Sequence, residues 1–172
     1  MKHIHPLTAI ALALFISGSA LSQELKINEI TEKYAVEGAV NFESIKKDSL
    51  FKKSYKWLYM RFPQTGEKGT YINADKGKIT AEEYFIPGPN SPQALTNLRI
   101  GFTLNCEFRD NKMKYSVSDF YYASTGEGKV TFESEKFRKY DVADRDSLMK
   151  ITTDHVKNLI ADFSGHLKKT QK

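Results

Sequence analysis

Between Phe102 and Phe120 the chain alternates with a period of two. Phe102, Leu104, Cys106 and Phe108 take every second position, and Met113, Tyr115 and Val117 resume the alternation after Asp110-Asn111. This predicts two half-buried strands joined by a two-residue turn. Pairing outward from that turn sets Phe108 opposite Met113, Cys106 opposite Tyr115 and Leu104 opposite Val117 on one face. The other face then carries Glu107 with Lys114, Asn105 with Ser116 and Thr103 with Ser118. A one-residue slip would set every apolar side chain opposite a polar one. Cross-strand pairs of this kind contribute about 0.2–1 kcal/mol each.

The remaining pattern places the other elements. The stretch from Tyr34 to Phe42 is compatible with a strand. Asp48 or Ser49 can cap a helix that ends before Pro63, with Phe51, Tyr55, Leu58 and Phe62 as its apolar stripe and Lys52, Lys53 and Lys56 opposite. Trp57 lies off that stripe. Lys76-Gly77 marks the turn of a second hairpin within Thr70–Ile86. Pro87–Gln93 reads as a loop. The stretch from Ser124 to Arg145 is weakly patterned, with Phe132, Phe137 and Tyr140 as anchors of an irregular cover. A last helix over Ser147–Leu167, capped by Asp146, carries a wide stripe of Leu148, Ile151, Val156, Leu159, Ile160, Phe163 and Leu167. Gly165 is placed to fray its last turn. The order strand–helix–four strands–helix predicts an α+β domain: a curved antiparallel sheet with two helices on one face and the other face open.

The N-terminus adds a compartment. A short basic start, an apolar run from Leu7 to Ile16, and Ala20 and Ser22 at the −3 and −1 positions predict a signal peptide over residues 1–22. The run is shorter than the ~20 residues a spanning helix needs. Export to the periplasm or beyond is therefore expected, with no transmembrane segment after cleavage. Removing residues 1–22 from the 172 leaves 150, one domain's worth over 23–172, and lowers the formal charge from +5 to +4. Lys and Arg are interspersed with nearly as many acids, which argues against a nucleic-acid partner.

Candidate chemistry is sparse. Cys106 is the single cysteine, so no internal disulfide forms, and its phase with Leu104 and Phe108 predicts burial. After cleavage only His155 and His166 remain; three helical turns separate them by ~16 Å, too far to share an ion. Gly126–Thr131 lacks the spacing of a phosphate loop. Glu82 and Glu83 point to opposite sides of a strand. Glu133 and Glu135 share a face of an exposed segment. The residues thus supply no catalytic group, no metal ligand and no cofactor site.

The helix "SYKWLYMRF", the hairpin "YINADKGKITAEEYF" and the hairpin "IGFTLNCEFRDNKMKYSVSDF" together resemble a family of exported bacterial domains of unknown function with a TATA-binding-protein-like (TBP-like) fold. The resemblance runs from Tyr34 to Leu167. It implies the curved sheet with two helices behind it, and it carries no catalytic residue onto this chain. Two stripes of helix need one apolar sheet face, so the opposite face is expected to lack a layer. Tyr71, Thr103, Asn105, Ser116, Ser118 and Phe120 are assigned to it, with Phe120 as an aromatic anchor. The expected function is a non-enzymatic exported module that binds a protein or cell-envelope component through this face. An envelope hydrolase and a homo-oligomeric structural subunit are the rival readings.

Overall fold

The computed structural model of the protein describes residues 24–62, 70–89, 91–92, 95, 97–124 and 128–169. The expected signal segment over 1–22 and the helix stop at Pro63 lie outside them. The elements run β1 (Lys26–Asn28), β2 (Lys33–Asn41), α1 (Lys47–Arg61), β3 (Thr70–Asn73), β4 (Lys78–Phe85), β5 (Arg99–Arg109), β6 (Lys112–Ala123), β7 (Val130–Thr131), α2 (Glu135–Arg138) and α3 (Val142–Lys169). All strand pairs are antiparallel, in the order β1-β2-β6-β5-β4-β3. The second edge of β6 is divided: β2 pairs with Lys112–Val117 and β7 with Tyr121 and Tyr122.

The β5–β6 hairpin has the register its alternation predicts, from Arg109–Lys112 out to Thr103–Ser118. It then shifts. Gly101 pairs with Tyr121, so the single residue Phe102 stands opposite both Asp119 and Phe120. Asp119 takes φ 55°, the left-handed conformation that a bulge of this kind uses. The extra residue reverses the phase of β6. Met113, Tyr115 and Val117 face the helices before the bulge, and Phe120 and Tyr122 do so after it.

Both long helices cover the same side of the sheet. Phe51 of α1 meets Phe108 edge-on at 6.0 Å, and His155 of α3 stacks on Phe85 at 3.7 Å between ring centroids. Trp57 lies flat on Phe163 at 4.5 Å, which joins α1 to α3. The stripe of α1 is therefore rotated from its expected position. Leu50, Ser54, Trp57 and Leu58 are buried, Phe51 is half-buried, and Tyr55 is 43 % exposed beside Tyr59. Trp57 offers more apolar area than Tyr55, and burying it outweighs the tidier pattern.

Capping also differs from expectation. The N-cap of α1 is Lys46, which supplies no side-chain cap. Asp110, in the β5–β6 turn, accepts the Lys47 backbone N–H at 2.8 Å instead. Asn111, at φ 61°, accepts the Ile45 N–H through Oδ1 at 2.7 Å. The hairpin tip is thus fastened to the start of the helix. Helix α3 begins a turn earlier than Asp146: Asp141 Oδ1 accepts the Ala143 N–H at 2.9 Å, and the helix continues through Gly165 to Lys169. The weakly patterned cover contains β7 and the single turn α2, held by buried Phe132 and Phe137 and capped by Ser134. Tyr140 is half-buried against them.

Candidate open-face binding surface

Opposite the helices, no layer of described residues covers the sheet. Alternation in β4, β5 and β6 brings Thr80, Asn105 and Ser116 into one row across three strands, because Thr80 pairs with Asn105 and Asn105 with Ser116. Glu37 of β2 extends the row as the partner of Ser116. This row floors a depression of about 510 Å³ whose walls include Lys78, Glu107 and Lys114.

The polar groups here are arranged by one another. Thr80 donates its hydroxyl to Asn105 Oδ1 at 2.7 Å. Ser116 and Asn28 both donate to Glu37 Oε1, at 3.4 and 3.2 Å. Glu107 pairs with Arg109 at 2.9 Å and Lys78 at 3.6 Å, so its cross-strand neighbour Lys114 is in register but is not its direct ion-pair partner. The hydrogen bond from Arg109 is the main force holding the Glu107 carboxyl below the usual range. Farther along, Asp119 is held below its ordinary value first by Lys33, with Ser118 and Thr103 also donating to it.

Five of the six residues assigned to this face are on it. Thr103, Asn105, Ser116 and Ser118 form its centre. Tyr71 stands on β3 opposite Thr80, 63 % exposed, with its hydroxyl accepting from Asn73 at 3.3 Å. Phe120 is not on it. The bulge turns Phe120 to the helix side, where it is fully buried and stacks on Phe132 at 5.7 Å. Besides Tyr71, the face carries Tyr84 and Tyr121, which flank Gly101 in register. The Tyr121 ring lies so close over Gly101 that an added Cβ would stand 2.1 Å from Cζ. Arg99 lies over Tyr84 at 4.7 Å and Lys129 over Tyr121 at 4.3 Å. A glycine facing a tyrosine was the available signal, but it becomes readable only once the bulge is known.

The ionisable groups most shifted by burial turn toward the helices. Glu83, on the helix side of β4, is pushed up to about 7 by burial, and its Oε1 has no hydrogen-bond partner among the described residues. His155 is pushed down to about 4, by burial first and by the Arg61 charge second. Neither borders the depression. The Cys106 thiol is buried and raised to about 12. Glu133 accepts the Tyr34 N–H at 2.9 Å and Glu135 pairs with Lys139, so these two acids do not form a carboxylate couple. Among the described residues, no cluster of His, Cys, Asp and Glu could hold a metal ion, and no helix is long and apolar enough to cross a membrane.

Comparison with known proteins identifies the architecture. The family model described as a domain of unknown function (DUF4468) with TBP-like fold matches residues 37–123, from β2 to the end of β6. A TBP-like protein from Parabacteroides distasonis shares the fold with a TM-score of 0.66 at 17% identity, over 78% of this chain and 92% of that one. A DUF4468 family protein from Bacteroides ovatus does so with a TM-score of 0.63 at 12% identity, over 82% and 90%. A search of curated proteins returns no match.

Proposed function

The chain belongs to the family of domains of unknown function (DUF4468) with TBP-like fold, and we propose that its open sheet face is the binding surface of a non-enzymatic, exported module. The observation carrying this reading is the depression over Thr80, Asn105 and Ser116. The same strands that bury their apolar side under two helices leave this row of hydroxyl and amide groups uncovered. Convergent polar groups in a concavity are what a binding site requires. The partner class is a protein or another component of the cell envelope, and export follows from the N-terminal pattern.

Site-directed photocrosslinking tests the surface. Cys106 is buried and does not compete for a maleimide crosslinker, so a single cysteine introduced at Ser116 reports the open face. One at Asp162, exposed on α3, reports the helix side. In envelope preparations the Ser116 probe is expected to give a discrete adduct that Asn105→Lys abolishes. Adducts from Asp162 alone would place binding on the helices.

A further inference from the structure

We propose that the Tyr84–Gly101–Tyr121 end of the open face binds an acidic saccharide, with the hydroxyl–amide row beyond it receiving neutral sugar units. This rests on the open face being the binding surface and adds the ligand class.

The first observation is the platform itself. Tyr84 and Tyr121 flank Gly101 from the neighbouring strands, and the missing side chain of Gly101 lets Tyr121 lie down onto the sheet. Tyr84 is 40 % exposed. Its ring sits beside polar groups, and Tyr71 on β3 is a second exposed aromatic on the same side of the sheet. A pyranose presents this combination in mirror form: a C–H face that packs on a ring once the exposed cation over it swings aside, and hydroxyls around its rim.

The second observation is charge. Arg99 and Lys129 each lie over one of the two rings and are exposed. Among the described residues neither is within ion-pair distance of a carboxylate, whereas Glu107 and Asp119, farther along the face, already have cationic partners. Two exposed cations with no described carboxylate partner, set at the rings, favour a carboxylate on the sugar that binds there. Beyond the platform the groups change to Thr103, Asn105, Ser116 and Ser118, which suit neutral hydroxyl and amide groups.

Other polyanions fit less well. A nucleic acid would carry its regular phosphates past Asp119, Glu107 and Glu37, on the same face as the cations. A protein interface needs an apolar core inside its polar rim, and the depression is walled by Lys78, Glu107 and Lys114. An acid sugar alternating with neutral amide-bearing sugars matches both the cationic end and the polar row.

The experiment is calorimetric titration of the intact mature protein with a hyaluronan octasaccharide, in which glucuronate alternates with N-acetylglucosamine. Binding is expected to weaken as salt rises. It should be lost with the carboxyl-reduced octasaccharide and with neutral chito-oligosaccharides. Arg99→Ser with Lys129→Ser should weaken it at least tenfold while the thermal midpoint stays within a few degrees. Tyr84→Ala should weaken it without altering its salt dependence. Three results would overturn the inference: no binding by the wild type, equal binding of polyglutamate or oligo-dT, or full binding by the double variant. If the octasaccharide fails while the Ser116 crosslink forms and Asn105→Lys removes it, the ligand class is wrong and the binding face stands.

Discussion

The two faces of this sheet treat polar groups in opposite ways. On the covered side partial burial strips water, and no described residue bonds Glu83 Oε1, so Glu83 is raised to about 7; burial first and Arg61 second lower His155 to about 4. On the open side water remains and partners are at hand, so Glu107 and Asp119 are both held low, by Arg109 and Lys33 first. A charged residue in a strand is informative only when its face is known, and in β6 the face changes at one residue. Ser118 is open and Phe120 buried, although both have even numbers, because Asp119 is an extra residue between them.

The comparison breaks most directly at Phe120. If it belongs to the core, Phe120→Ala should cost about 3–5 kcal/mol in chemical denaturation. A loss under 1 kcal/mol would return Phe120 to the open face and remove the bulge from the account. Next in size is Asp119→Ala, which imposes a left-handed backbone on alanine and removes the acceptor of Lys33, Ser118 and Thr103. The expected loss is about 1–3 kcal/mol. Asp119→Gly keeps the backbone conformation and should recover part of it. Equal losses in the two variants would show that side-chain bonds alone matter there.

A pH series sharpens the contrast between the faces. The raised Glu83 leaves stability intact below 4.5 and lowers it as pH climbs to about 7. The depressed His155 does the reverse: stability is intact above 6.5 and is lost as pH falls to about 4. Between 4.5 and 6.5 the two slopes oppose each other. Thermal midpoints of Glu83→Gln should therefore rise with pH across that window, and those of His155→Phe should fall. The wild type should be flatter than either. Parallel profiles for all three would sink this assignment. The smallest effect is expected at Ser116→Ala, within about 0.5 kcal/mol of wild type. A larger loss would mean that the open row supports the fold.

Much of this molecule can be read from its alternation. The Asp110–Asn111 hairpin, its register from Arg109 to Thr103, the burial of Cys106 and most of the α3 stripe follow from period and phase. The rest failed for physical reasons. Asp119 gives no local sign of its left-handed conformation, so strict alternation puts Phe120 on the wrong face. Helix α1 rotated because Trp57 found Phe163, a partner more than a hundred residues away in the chain. Strand β7 has two residues and exists only because β6 offers it an edge. Of the candidate site, the central hydroxyl and amide positions were legible, whereas the tyrosine–cation end lies beyond the bulge and was not.

The hairpin tip has a consequence in time as well as in space. The N-terminus of α1 is closed by Asp110, a residue 63 positions later. A chain that emerges N-terminus first therefore presents this helical segment before its cap exists. Until β5 and β6 have paired, the leading N–H groups of α1 must rely on water, and a segment of 15 residues is only marginally helical alone. The first helix and the central hairpin should consequently gain protection from hydrogen exchange together during folding, as one cooperative unit assembled from distant parts of the chain.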